Sequence, residues 1–319
     1  MDIKRRQFIK TTLAGLGSVT AGAEVAAARA IARADESPAP PKNPFSTDPV
    51  ATIKLTDAVT TSRVGFGTGM SGHQRSAQLT RMDRDKAEDL VRYAYDSGVR
   101  FFDCADLYGT HQLVVEALKD KPRDSYQISS KLWPHPGGIP EQERPTADVV
   151  VKRFLEELKT DYIDLVQIHC MMKPNWQEDF ASYMEDLEKL KEQGIIRGHG
   201  ISCHSLGAIQ SGVVDPWVDA LHIRINTTGA RMEGTFEENV AAGKTAQANG
   251  KGVIAMKLIG EGTIRERKDR EECIDKIVRA DIVDVYVVGF EEKWQVDEII
   301  ENLEKSLKGI EAERKAADA

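Results

Sequence analysis

The chain has 319 residues, 41% of them hydrophobic and 29% charged, with a net charge of -8 at pH 7. That balance suits an ordinary acidic globular domain with enough apolar residues for a substantial core. It argues against nucleic acid as a partner, which needs a concentrated basic face; no run reaches the roughly 18 to 20 apolar residues that span a bilayer, so no membrane span is expected in the mature protein.

In chain order, the first feature is "KRRQFIK" (Lys4 to Lys10), where Arg5 and Arg6 precede a mildly apolar stretch rich in Gly, Ala and Thr. The small-residue pattern "ARA" (Ala32 to Ala34) then offers a cleavage site before Asp35. This segment resembles a twin-arginine (Tat) export signal, which implies the Tat machinery as a partner and the periplasm or another extracytoplasmic space as the destination. Residues 1–34 are therefore expected to be a signal peptide. "DESPAPPKNPFSTD" (35–48) has too little apolar surface to pack and reads as a flexible linker, which leaves 49–319 for the folded domain.

Within that domain, short apolar runs alternate with helical patterns. The predicted strands are "SRVGFG", "VRFFDCA", "YQISSK", "DLVQIHC", "IRGHGIS", "ALHIRIN", "GVIAMKL" and "VDVYVVGF". Between them, apolar residues recur with helical spacing: Ala87, Leu90, Val91 and Ala94, opened by Asp83 as N-cap and closed by Gly98; Val151, Phe154, Leu155 and Leu158; Val296, Ile299, Ile300 and Leu303. Eight strand-helix units in about 250 residues are the size and order of a single-domain (β/α)8 TIM barrel of the α/β class. A doubly wound sheet would carry a Gly-rich turn leading straight into a helix after its first strand; "GFGTGMSG" (Gly65 to Gly72) has the glycines, but no amphipathic helix follows directly.

Active sites of such barrels lie at the C-terminal ends of the strands. Those ends carry Asp103, with Tyr108 just beyond it, then Lys131 and His169. Each alone has an ordinary structural reading, but four chemically capable side chains on adjacent strand ends point to proton transfer. An ammonium at Lys131, fixed by the Asp103 carboxylate, would stabilise a phenolate at Tyr108. A neutral His169 would donate a hydrogen bond to a carbonyl oxygen as negative charge develops there.

"FFDCADLYG", "ISSKLW", "DYIDLVQIHC" and "RGHGISCHS", in this order, resemble the strand-end motifs of the aldo-keto reductases. The resemblance implies a barrel that binds NADP or NAD without a Rossmann fold and an oxidoreductase that moves hydride between the nicotinamide and a small-molecule carbonyl or alcohol: an aldehyde, a ketone or a sugar. It maps a catalytic tetrad onto Asp103, Tyr108, Lys131 and His169, with Tyr108 as general acid. It also implies cofactor contacts at Gly67, Thr68, Ser202, Cys203, His222, Lys257 and Gly289.

Several positions depart from the family pattern. Cys203 stands where Asn is usual, and His222 where Gln is frequent. Glu291 and Glu292 put negative charge where a 2'-phosphate would lie, which suits NAD, although Lys293 keeps NADP open. Cys104, Cys170 and Cys203 all sit near the strand ends, where thiolates and imidazoles can hold a metal; with Asp103 and His169 facing the mouth, strand alternation turns Cys104 and Cys170 toward the helices, free cysteine commonly packs as a small buried hydrophobe, and no metal ligands are assigned. The residues also admit two other readings: a cofactor-binding barrel with a sensing or assembly role and little turnover, and a metal-dependent barrel enzyme using the Cys and His at the mouth.

Overall fold

The structure is a computed structural model that describes residues 42–319. The export signal and the first residues of the expected linker lie outside the described residues. The described residues form ten strands: β1 (Thr52–Lys54), β2 (Thr60–Ser62), β3 (Val64–Gly67), β4 (Phe101–Asp103), β5 (Gln127–Leu132), β6 (Leu165–Met171), β7 (His199–Cys203), β8 (Ala220–Arg224), β9 (Gly252–Met256) and β10 (Val285–Val288). The α-helices are α1 (Gln78–Arg81), α2 (Arg84–Asp96), α3 (His111–Ala117), α4 (Ala147–Leu158), α5 (Trp176–Asp179), α6 (Ala181–Glu192), α7 (Leu206–Gly212), α8 (Phe236–Ala248), α9 (Arg267–Arg279) and α10 (Lys293–Ala317).

Strands β3 to β10 pair in parallel, each with the next, and β10 closes on β3 through Tyr286↔Val64 and Val288↔Phe66. This is the expected single-domain (β/α)8 barrel. Its eight strands match the eight predicted runs, overshooting them only by one residue at Leu132, Met171 and Cys203, because strands buried on both faces read as near-continuous apolar sequence.

The two-residue strand period sorts side chains into two cores. Phe66, Phe102, Cys104, Ile128, Val166, Ile168, Ile201 and Cys203 join the helices in the larger one. Phe101, Leu165, Ala220, Ile254, Val285 and Val287 form a smaller one, closed by Ile53, Leu55 and Val59 from the β1–β2 hairpin. The hairpin, not anticipated from sequence, is thus the floor of the barrel.

Helix α2 illustrates the local logic. The Asp83 carboxylate accepts from Lys86 N at 3.1 Å, and Ala87, Leu90, Val91 and Ala94 are the residues it buries. Gly98 follows with φ of 99°, where a side chain would also meet Val50 at 2.8 Å.

The described part of the expected linker is tied down. Lys42 Nζ donates to Leu55 O (2.8 Å) and pairs with Asp284 (3.0 Å), and Arg63 Nη1 donates to Asp48 O (2.9 Å). Composition missed this because the anchors are polar and lie far along the chain.

On the helix side of the sheet, His111 Nε2 lies 2.7 Å from Ser130 Oγ, and His111 Nδ1 lies 2.6 Å from Glu157 Oε2. This serine, histidine and carboxylate order resembles a nucleophile relay. Ser130 is completely buried, however, so no substrate reaches it, and the trio serves to clamp β5 to α3 and α4. No helix among the described residues is long and apolar enough to cross a membrane.

Candidate active site

The four expected catalytic residues converge at the C-terminal ends of β4, β5 and β6. Asp103, Lys131 and His169 occupy inward-facing positions; Phe101, two residues before Asp103, and Leu165, four before His169, lie in the inner core. Lys131 Nζ donates to Asp103 Oδ1 at 2.6 Å and to Cys104 O at 2.9 Å. The ammonium stands 5.3 Å from the centre of the Tyr108 ring. The Tyr108 and His169 rings meet edge to face at 5.7 Å.

Tyr108 ends a short 3-10 turn, Asp106–Tyr108. Two arginines hold that turn by its buried aspartate: Arg75 Nε lies 2.8 Å from Asp106 Oδ1, and Arg153 Nη2 lies 2.7 Å from Oδ2. The glycine-rich loop of "GFGTGMSG" lies against the phenol. A Cβ at Gly69 or Gly72 would come within 2.3 Å or 2.5 Å of the Tyr108 ring, so glycine at these positions lets the backbone pack there.

Electrostatics separate the four roles. Burial acts to raise the Asp103 carboxyl, but Lys131 and then His222 outweigh it and hold it far below the ordinary range. Burial, reinforced by Lys131 and His204, pushes His169 well below its usual value, so the ring is neutral. Its Nδ1 is sealed without a partner. The single proton is best placed on Nε2, since a sealed N–H without an acceptor is the costlier arrangement.

At rest Tyr108 is a phenol rather than a phenolate. Burial and then Asp103 raise this phenol above its ordinary value. Lys131 commits two of its three donors to Asp103 and Cys104 O, so the phenol stays protonated and holds a proton to give.

The positions expected to contact a cofactor fare unequally. Gly67 faces inward, where a Cβ would meet Val287 at 2.9 Å; at Gly289 it would meet Met70 at 2.7 Å. Ser202 Oγ is buried without a partner, and Ser202 is in register with His222 on β8. His222 Nε2 lies 3.1 Å from Asp103 Oδ1, yet neither ring nitrogen has hydrogen-bond geometry to a partner. The contact is one of charge and dipole beneath the mouth. The Thr68 hydroxyl is committed to Asp103 O (2.8 Å) and Thr110 Oγ1 (2.7 Å), and the Thr68 backbone N–H also donates to Asp103 O (3.0 Å). Lys257 is paired with Glu261 at 2.7 Å.

Cys203 is a correction. It lies in the helix-facing core with Ile201, because adjacent Ser202 takes the inward position. Cys104 shares that core and is fully buried, and burial followed by Asp103 pushes its thiol up to about 12. Two of the three strand-end cysteines therefore pack as small apolar side chains. Among the described residues no three Cys, His, Asp or Glu groups converge to hold a metal.

A cavity of about 220 Å³ lies beside the end of β10 and the start of α10, lined in part by Arg265, Arg270, Trp294, Glu298 and Asn302. Arg270 Nε is 2.5 Å from Glu298 Oε1, a pair that joins α9 to α10, while Arg265 has no ion-pair partner among the described residues. Glu292 and Lys293 turn instead toward α2, pairing with Lys86 (2.5 Å) and Asp89 (2.6 Å). The charge that faces the cavity thus comes from residues the sequence reading did not select. Arg270 and Glu298 meet across 28 positions of chain, a separation that local patterns do not reveal.

A sequence model of the aldo/keto reductase family matches residues 63–314. The probable aldo-keto reductase 1 of Glycine max is 30% identical over 159 residues, which cover 47% of this chain and 44% of that protein. The chain spans about half the length of the curated relatives it matches. A putative aldo-keto reductase from Pseudomonas aeruginosa has the same fold, with a TM-score of 0.66 at 21% identity over 82% of this chain and 97% of that one. An aldo/keto reductase from Klebsiella pneumoniae, solved with NADP and acetate, gives a TM-score of 0.60 at 19% identity over 79% of this chain and 89% of that one. With the closed barrel and the strand-end residues already in place, the family match over most of the chain establishes that this protein belongs to the aldo/keto reductase family, whose members are oxidoreductases.

Proposed function

We propose that this chain interconverts a small carbonyl compound and its alcohol with a nicotinamide cofactor, and that Tyr108 carries the proton. The observation that supports this most is the buried Lys131–Asp103 pair beside a protonated Tyr108 and a neutral His169. A bound nicotinamide supplies or accepts the hydride. His169 Nε2–H orients the carbonyl oxygen, Tyr108 gives that oxygen its proton, and Lys131 steadies the phenol as charge develops. In the oxidative direction Tyr108 recovers the proton.

The chain has groups that fit the cofactor. The unpartnered Ser202 hydroxyl lies at the strand ends, and the cavity beside β10 offers arginine, indole and amide groups. We infer a preference for NADP over NAD. Arg265 has no acidic partner among the described residues, and of the two acids that favour NAD, Glu292 is engaged by Lys86 while Glu291 alone has no ion-pair partner among them. The NADP held by the Klebsiella pneumoniae relative agrees with this reading.

The test is reduction of a panel of aldehydes, ketones and sugars by the purified protein with NADPH and with NADH. Turnover with NADPH at the lower KM, and an Arg265→Ala variant that loses about tenfold in KM for NADPH alone, is the expected result. A protein that binds the cofactor but turns over no member of the panel would contradict it.

The Arg5–Arg6 pair supports export through the Tat pathway to an extracytoplasmic space. Replacing both with Lys should retain the precursor in the cytoplasm, and unchanged secretion would overturn that assignment.

A further inference from the structure

Three polar atoms at the mouth have no hydrogen-bond partner among the described residues, yet none is among the sealed ones: Tyr108 Oη, His169 Nε2 and His204 Nε2. The reading above employs the first two. His204 lies just past the end of β7, where its backbone N donates to Met171 O at 2.8 Å. Its ring meets His169 at 6.0 Å and 80°, on the same edge-to-face pattern that His169 makes with Tyr108. The three groups therefore follow one another, Tyr108 to His169 to His204.

The proton of His204 is placed by chemistry. Arg224 Nη2 is hydrogen-bonded to His204 Nδ1. A guanidinium only donates, so Nδ1 must present its lone pair. Burial, then Arg224 and Lys257, lowers this imidazole to about 3, so it is neutral at physiological pH. Its one proton therefore sits on Nε2, the nitrogen without a partner. Arg224 is itself fixed: Nη1 lies 3.0 Å from Glu233 Oε1 and donates to Arg231 O at 3.1 Å. The pair retains two sealed orphans, Arg224 Nε and Glu233 Oε2.

We propose that His204 is a substrate-binding residue whose Nε2–H holds an oxygen on the carbon next to the reacting carbonyl, so that the site selects α-hydroxy and α-oxo carbonyl compounds over plain alkyl ones. Arg224 is the positioning residue that sets the tautomer. The inference rests on the carbonyl-reduction reading. A carbonyl oxygen held between Tyr108 and His169 leaves the adjoining carbon's substituent facing the next donor in the row.

The test compares kcat/KM for hydroxyacetone and for butanone, in which a methyl group replaces the hydroxyl. It uses the purified parent, His204→Phe and His204→Gln, alongside nitrogen NMR of the imidazoles and titration of the nicotinamide cofactor. The parent should prefer hydroxyacetone by about tenfold or more. His204→Phe should lose about tenfold of that preference, chiefly through KM, and His204→Gln, which keeps an N–H, should restore part of it. The NMR should show Nε2 protonated and Nδ1 bare from about pH 5 to about pH 8. An Nδ1–H tautomer, an imidazolium, or a preference unchanged in His204→Phe overturns the proposal. So does a variant that loses cofactor affinity rather than discrimination. Turnover of both ketones without discrimination defeats His204 alone, whereas a parent that reduces neither defeats the carbonyl-reduction reading and the role of His204 with it.

Discussion

Two buried networks on the same barrel wall use similar groups to opposite ends. His111, Ser130 and Glu157 lie on the helix side of β5, where both imidazole nitrogens have partners. Asp103, Lys131, Tyr108 and His169 lie at the strand ends, where the carboxylate and ammonium satisfy each other but the phenol and the imidazole do not. Ser130 and Lys131 are neighbours in sequence, and the strand period sends one into each network. The contrast teaches that acid and base groups in proximity are not yet a reactive site. A reactive site also keeps donors unengaged where a substrate can meet them, which is where the fold tolerates unsatisfied polar atoms.

The largest expected effect lies in the strand-end network. Lys131→Met leaves the Asp103 carboxylate buried without its cation, at a cost of about 3–5 kcal/mol, and should reduce kcat by about a hundredfold or more. Urea unfolding and steady-state kinetics read the two losses separately. A variant as stable as the parent would mean that the pair is not the electrostatic unit described here.

Next comes the floor. Leu55 is fully buried in the inner core, at the end away from the chemistry. Leu55→Ala should cost about 2–5 kcal/mol in unfolding free energy with kcat and KM close to those of the parent. A drop in kcat comparable to that of Lys131→Met would erase the distinction between floor and mouth.

A smaller effect should appear in the clamp. Burial acts to raise Glu157, but hydrogen bonds from His111 and Arg153 outweigh it and hold the carboxyl at about 2. An unfolded glutamate titrates near ~4.3, so Glu157 contributes stability that is complete above that pH and lost as pH falls toward about 2. Glu157→Gln should therefore lower Tm at neutral pH and flatten its fall over this acid window, without altering turnover. A Tm profile parallel to the parent's would show that the clamp's charge is immaterial.

Most of the architecture was legible in the sequence because both barrel layers leave marks. Strands buried on two faces appear as runs such as "LVQIHC", and the helices of the outer layer repeat at 3.6. The strand-end acid, phenol, ammonium and imidazole were legible for the same reason, since the fold class says which end of a strand to inspect. The β1–β2 hairpin escaped because "TIKLTDAVTTS" is short and largely polar, and its three apolar anchors gain meaning only against Phe101 and Leu165. Arg75 and Arg153 on Asp106, Arg224 between His204 and Glu233, and Arg270 on Glu298 escaped because each joins elements remote in sequence. Cys203 occupies the family's Asn position by alignment, but strand alternation with the inward Ser202 turns it to the helices.

The central claim is that Tyr108 is the proton donor, and Tyr108→Phe tests it most directly. The ring is retained against Gly69 and Gly72, and only the transferable proton is removed. Stopped-flow reduction of a carbonyl substrate by the cofactor-loaded variant, with cofactor affinity measured in parallel, should show a hydride-transfer rate lower by about a hundredfold or more and unchanged binding. A transfer rate equal to that of the parent would contradict the account.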